Sequence, residues 1–197
     1  MSRRALLLAP LILGACSILP DRPFVPARRY MLDPQRPTRN PPPPGAPVLL
    51  VRRLRAVPGL QDVALRRRRP DGAYVIAAFE EWIAPPADLA EASLRGWLSA
   101  SGRFAAVVAP GSRADTTLVL EAQLTTLEAG PGEARAALAG VLLREERLSA
   151  RVLTAFEVSG SAPLPQGATP PVEAAGMVAA LGECFGRLES TLAPFLR

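Results

Sequence analysis

The sequence contains no histidine and no lysine, and only two cysteines occur among its 197 residues. Without histidine the chain has no histidine general base, no Ser-His or Cys-His nucleophile and no histidine-ligated metal. Without lysine it forms no Schiff base and has no Walker lysine. These absences exclude most enzyme mechanisms, and we expect no catalytic residues, no cofactor and no metal.

Every one of the 23 basic side chains is an arginine, and the formal net charge is +5. Arg3 and Arg4 lie in a segment that we expect to be removed, which lowers the positive charge by two. A GC-rich coding bias also explains a basic content made of arginine alone. The remaining charge is too small to indicate a nucleic-acid partner, and none is expected.

Residues 1–15 have the pattern of a secretory signal peptide. Arg3 and Arg4 precede the apolar run Ala5–Leu13, which as a helix spans about 14 Å, roughly half of a bilayer core. The run ends in Leu13-Gly14-Ala15-Cys16, which resembles the lipobox of bacterial lipoproteins. The resemblance implies cleavage before Cys16 and lipidation of that cysteine. The alternative is an ordinary signal peptide followed by a chance cysteine.

The N-terminal sequence also predicts the cellular compartment of the protein. Two or more acyl chains on Cys16 give stable membrane anchoring. Ser17 follows the cysteine, and in enterobacterial lipoproteins a residue other than aspartate there favours the outer membrane. We expect a lipid-anchored protein of the cell envelope that faces the periplasm, and this rule places it at the outer membrane.

Proline marks the segment between the signal peptide and the domain. Ten prolines fall within residues 17–47, which excludes a helix or a central strand there. Residues 16–29 are predicted to form a tether, whose reach at about 3.1 Å per residue is up to roughly 40 Å. Residues 30–197 are predicted to form a single domain.

The hydrophobic pattern of the domain predicts an α/β fold with α+β character. We expect one mixed, largely antiparallel sheet with a C-terminal strand meander, packed by two main helices. An Asp-Gly turn predicts a hairpin of residues 62–69 and 73–80. The third meander strand is predicted to bury Leu148, Ala150, Val152 and Phe156. Cys184 is predicted to pack in the core from the last helix.

Arg66, Arg67, Arg68 and Arg69 form the conspicuous charge run of the sequence. Four consecutive arginines in a strand place charge on both faces, so we expect this hairpin at a sheet edge or protruding into water. One interpretation is a solvated edge that prevents strand-to-strand aggregation. The other is contact with phospholipid headgroups or an acidic partner, in which case neutralising the run leaves folding intact and weakens binding to anionic liposomes.

Two adjacent acidic pairs, Glu80-Glu81 and Glu145-Glu146, are the only candidate carboxylate constellations. Neighbouring residues of a strand point to opposite faces, so Glu80 and Glu81 do not converge on one substrate. The second pair lies in a predicted turn and is expected to be solvated.

The order of motifs resembles that of a known family. The lipobox is followed by Tyr30-Met31-Leu32, a Pro-Gly-Leu turn, the basic hairpin, and the segment from Phe79 to Pro85 that opens a helix. This order resembles the ABC-type transport auxiliary lipoprotein family, the lipoprotein partners of MCE (mammalian-cell-entry) lipid transport systems. Trp82 and Pro85 match the family's tryptophan and proline, although Ile83-Ala84 stands where the family usually has Ala-Glu.

The resemblance implies a non-enzymatic accessory role. An ABC permease and ATPase would supply the energy, and an MCE protein would form the conduit. Phospholipid or other hydrophobic cargo would then pass between the inner and outer membranes. The resemblance implies a structural role for Trp82 and Pro85. The alternative from the residues alone is a structural or assembly lipoprotein, such as a pilotin or an outer-membrane assembly factor.

Overall fold

The computed structural model describes residues 24–146 and 149–196, so the signal peptide and Cys16 lie outside the described residues. These two ranges contain nine strands in one mixed sheet, and two α-helices. The α/β prediction is confirmed. The strands are β1 (Arg28–Tyr30), β2 (Val48–Val51), β3 (Arg55–Ala56), β4 (Ala64–Arg68), β5 (Tyr74–Trp82), β6 (Ala106–Val108), β7 (Leu118–Ala129), β8 (Glu133–Glu146) and β9 (Ser149–Pro163), and the helices are α1 (Pro86–Ala100) and α2 (Pro170–Leu192).

Strand β7 organises the sheet. On one side it pairs antiparallel with β8 from Leu118 to Ala129, and β8 pairs in turn with β9. On the other side β2, β3 and β4 pair with it one after another, all parallel. β6 then extends the sheet from β2, and β5 and β1 extend it from β4. The meander of β7, β8 and β9 was predicted, whereas the parallel pairings join segments that are distant in the sequence.

Both helices begin at a proline, where the missing N–H removes no hydrogen bond. α2 lies against β7, β8 and β9, and its apolar face fills the core beside the sheet. α1 meets α2 through Trp97 and Phe185, whose rings pack edge to face with centroids 5.8 Å apart. Cys184 is fully buried as predicted, and burial raises the pKa of its thiol to about 12.

The prediction that Ala150 and Val152 line the buried face of β9 is wrong, and Leu148 lies outside the described residues. Ala150 is exposed and the side chain of Val152 is 58% exposed, whereas Phe156 is buried. The register explains the difference, because Leu142 pairs with Thr154 while Leu143 pairs with Val152. Leu153 is thus an extra residue on β9, and such a bulge reverses which residues face the core.

Two glycines permit close packing around β8 and β9. A β-carbon at Gly140 of β8 would lie 2.0 Å from the carbonyl oxygen of Glu121 on β7. A β-carbon at Gly160 of β9 would lie 2.1 Å from the carbonyl oxygen of Ala180 on α2. The absence of a side chain at Gly160 therefore sets how closely α2 approaches the sheet.

We predict that Gly160→Ala lowers the free energy of unfolding by about 2 to 4 kcal/mol, because α2 must move away from β9. Gly96 is the matched control, since it lies in α1 with open space around its β-carbon position. There Gly96→Ala should raise stability by about 0.5 to 1 kcal/mol. Urea unfolding of both variants tests this, and equal stabilities would contradict the packing argument.

Candidate functional site

The arginine run does not lie at a sheet edge, so the prediction of an edge strand is wrong, although residues 69–73 at the turn of the hairpin are exposed to solvent. Strand β4, which carries Arg66–Arg68, lies between β5 and β7. The Asp-Gly hairpin itself formed as predicted, with Arg69 donating its backbone N–H to Ala73 at 2.8 Å. The edge was misjudged because β4 has a second, parallel partner in β7, through the pair Arg67 and Ala129, which no local pattern reveals.

Each arginine of the run faces a carboxylate. Two of these carboxylates belong to the same hairpin region, and two belong to other elements of the fold. The pairs are Arg66 with Asp62 at 2.7 Å, Arg67 with Glu173, Arg68 with Glu128 at 2.9 Å, and Arg69 with Asp71 at 3.5 Å. The run is therefore electrically compensated within the protein.

Arg67 and Arg68 hold buried acids in place. Glu173 in the first turn of α2 accepts from Arg67, which ties this helix to β4. Glu128 of β7 accepts from Arg68 and from the Tyr74 hydroxyl. The hydrogen bond to Glu128, and secondly burial, raise the pKa of Tyr74 above its ordinary value. The side chain of Arg69 is more exposed than those of the other three arginines of the run. Arg69 is therefore the arginine of the run best placed for a surface contact.

Trp82 and Pro85 lie at the junction between β5 and α1. Trp82 is 2% exposed, and its backbone N–H donates to Val63 at 2.7 Å. Pro85 precedes the first helical residue, and its carbonyl accepts from Asp88 at 3.0 Å. These positions suit structural roles, because Trp82 anchors the end of β5 in the core and Pro85 starts the helix.

Neither acidic pair forms a joint site. Glu145 and Glu146 belong to the end of β8 and not to a turn, so that prediction is wrong, although both residues are exposed as expected. Glu80 accepts from Tyr30 and Arg28, and Glu81 accepts from Arg29 at 3.5 Å. The hydrogen bond from Tyr30, with help from Arg28, lowers the pKa of Glu80. Within residues 24–146 and 149–196 there is no group of three or more His, Cys, Asp or Glu side chains placed to hold a metal ion.

Glu189 of α2 forms a buried polar cluster that sequence reasoning missed. Arg36 donates to both of its carboxylate oxygens at 3.2 Å, and Arg103 donates at 2.9 Å. The Trp97 indole adds a third donor at 3.3 Å. Burial raises the pKa of Glu189, but the arginines outweigh this effect and hold the pKa below its ordinary value. The available signal was an acid at the helical spacing of two apolar residues, Phe185 and Leu192, in the last helix.

An open groove of about 960 Å³ runs along the outer side of α2. Gly182 and Gly186 form its floor with Trp97, and Pro34 and Pro37 form one wall. A β-carbon at Gly182 would meet Pro34 and Trp97, and one at Gly186 would meet Trp97, so these two glycines face away from the sheet. Their small size leaves the groove open, and its lining is mostly apolar.

None of the helices in the described ranges is long and apolar enough to cross a bilayer.

The sequence and the fold both have relatives. Residues 30–193 match the protein family described as ABC-type transport auxiliary lipoprotein component. The crystal structure of protein XCC0632 from Xanthomonas campestris, of family DUF330, is similar with a TM-score of 0.65 and 21% identity, over 81% of this chain and 91% of that one. An uncharacterized protein of known structure has a TM-score of 0.57 and 18% identity, over 88% and 100% of the two chains. No curated protein matches.

We predict that Glu189→Gln lowers the free energy of unfolding at neutral pH by about 2 to 3 kcal/mol, because Arg36 and Arg103 lose their shared anion. The pKa of Glu189 is lowered by folding, so its contribution is complete above pH 5 or so and is lost as the pH falls through the folded-state pKa. The difference in the free energy of unfolding between the variant and the wild type should therefore become smaller at acidic pH. Glu157→Gln, at an exposed position of β9, is the control.

Within the arginine run we predict a division of roles. Arg68→Gln should lower the free energy of unfolding by about 1 to 3 kcal/mol, because buried Glu128 loses its guanidinium. Arg69→Gln should change it by less than about 0.5 kcal/mol, since its partner Asp71 is exposed. Thermal unfolding checks both variants. Equal changes in the free energy of unfolding for the two variants would contradict this division and would favour a run that is solvated along its whole length.

Proposed function

Because the chain belongs to the family of ABC-type transport auxiliary lipoprotein components, we propose that it is a non-catalytic accessory subunit of an MCE-containing ABC transport system. The family supports an accessory, transport-associated role for a membrane-associated lipoprotein of the cell envelope. In the proposal, Cys16 carries the lipid anchor and the domain faces the periplasm at the outer membrane. The cargo is phospholipid or another hydrophobic molecule.

One observation carries this proposal. The family match runs from Tyr30 to Ala193, and so includes all the strands and helices described above except the first two residues of β1. The lipobox ending in Cys16 lies upstream of this match and supplies the membrane attachment that the family description includes. The two features are independent, since one concerns the folded domain and the other the processing of the N-terminus.

Two further features support the finer parts of the proposal. The absence of histidine and lysine from the sequence supports a role without catalysis. The apolar groove along α2 offers a surface for a partner subunit or for hydrophobic cargo. An accessory subunit of this kind needs only an anchor and interaction surfaces, because the ATPase supplies the energy.

The test is affinity purification of the full-length, membrane-extracted protein, followed by mass spectrometry of the proteins that co-purify. We expect an MCE protein together with an ABC permease and its ATPase. A Cys16→Ser variant is the control, because it lacks the lipid acceptor and should leave the outer-membrane fraction. Recovery of a secretin or a barrel-assembly complex would contradict the transport role and favour an assembly lipoprotein.

A further inference from the structure

The first half of β5 forms a free strand edge in the described part of the chain. β4 pairs with Tyr74, Val75 and Ile76 on one side of the strand. On the other side β1 pairs only with residues 80–82, at the far end of β5. Residues 74–79 thus present unpaired backbone on that side.

This edge is apolar and exposed. Residues 73–79 read Ala-Tyr-Val-Ile-Ala-Ala-Phe, with no charge, proline or glycine. Ile76 is 56% exposed and Phe79 is 52% exposed. Exposed strand edges in soluble proteins normally carry charges or prolines that prevent association, and a long apolar edge indicates that another surface covers it.

Phe79 strengthens this inference. Its backbone has a φ of +61°, the only positive value at a residue other than glycine in the described ranges. A bulky side chain in that conformation is costly, and strain of this kind concentrates at functional positions. This conformation does not bury the ring, because Phe79 remains about half exposed. The strain therefore presents an aromatic ring at the surface.

The direction of β1 indicates what covers the edge. β1 runs parallel to β5, and Arg28 lies beside Glu80. The chain before Arg28 therefore approaches from the end of β5 that carries Tyr74 and Ile76. Phe24 is 91% exposed on this approach, and Val25 is exposed as well. Seven residues separate Cys16 from Phe24, so the two lie at most about 28 Å apart, eight residue steps of extended chain.

We propose that a membrane-facing patch, formed by Phe24, Val25, Tyr74, Ile76 and Phe79, lies in the interfacial layer of the membrane that holds the anchor. Aromatic and aliphatic side chains partition into that layer, and it also contains water for the unpaired strand edge. The proposal rests on the proposed function only in that Cys16 is lipidated. The nearby arginines are compensated by carboxylates, so the contact is apolar and does not require anionic lipid.

The experiment places a fluorescent probe on the patch of the full-length lipidated protein. Ile76→Cys is labelled with a nitrobenzoxadiazole maleimide and reconstituted into phosphatidylcholine vesicles with or without phosphatidylglycerol. Cys184 stays unlabelled because it is fully buried and its thiol pKa is about 12. Val152→Cys is the matched control, an exposed β-branched position on β9 at the opposite side of the sheet. Phe79→Cys is a second probe if Ile76→Cys does not fold.

Quenching by lipids that carry a nitroxide near the headgroup is the measurement. At position 76 we expect quenching at least about threefold stronger than at position 152, with little dependence on phosphatidylglycerol or salt. Equal quenching at the two positions would overturn the proposal. A probe shielded from both lipid nitroxide and aqueous iodide would also overturn it, because the edge would then be covered by a second copy or a partner strand. Failure of the protein to enter vesicles would instead contradict lipidation of Cys16.

Discussion

The buried carboxylate of Glu189 holds together parts of the chain that no strand pairing connects. Arg36 reaches it from the segment after β1, Trp97 from α1, and Arg103 from the loop after that helix. A buried carboxylate is costly unless its oxygens are hydrogen-bonded, and here three donors meet that requirement. Because Trp97 also forms part of the groove floor, the same cluster fixes the shape of the surface that we assign to a partner or cargo.

Charge in this protein serves mainly internal contacts. The same arrangement occurs twice, with an arginine and a tyrosine hydroxyl on one glutamate: Arg28 and Tyr30 on Glu80, and Arg68 and Tyr74 on Glu128. Both glutamates are buried, so the arginines neutralise acids that would otherwise destabilise the fold. An arginine-rich composition therefore does not by itself indicate an anionic partner, and the free apolar edge of β5 is the more informative surface.

The sequence predicted those elements whose signals are local. The Asp71-Gly72 turn, the paired prolines that open α1, and the alternation along β7 all act over a few residues, and each element formed where its signal lies. The position of β4 inside the sheet depends on its contact with Ala129, some sixty residues away, and local patterns carry no information about it. The inserted Leu153 reverses the burial of Val152 for the same reason, since a bulge is defined by the partner strand. The family's tryptophan, Trp82, was recognisable, whereas Glu189 required the fold to bring its three donors together.

The segment that follows β1 is fastened to the rest of the domain at several points, and these contacts bear on the membrane arrangement that we propose. After β1, Leu32 is fully buried and its carbonyl accepts from Ser93 of α1 at 2.8 Å. Arg36 binds Glu189, and the backbone N–H of Asn40 donates to Ala100 at 3.0 Å. In the proposed arrangement, a pull on a lipid at Cys16 would be borne by β1 and by these contacts. The edge beside β1 would then lie near the membrane, while β9 and the outer side of α2 would remain available to other proteins.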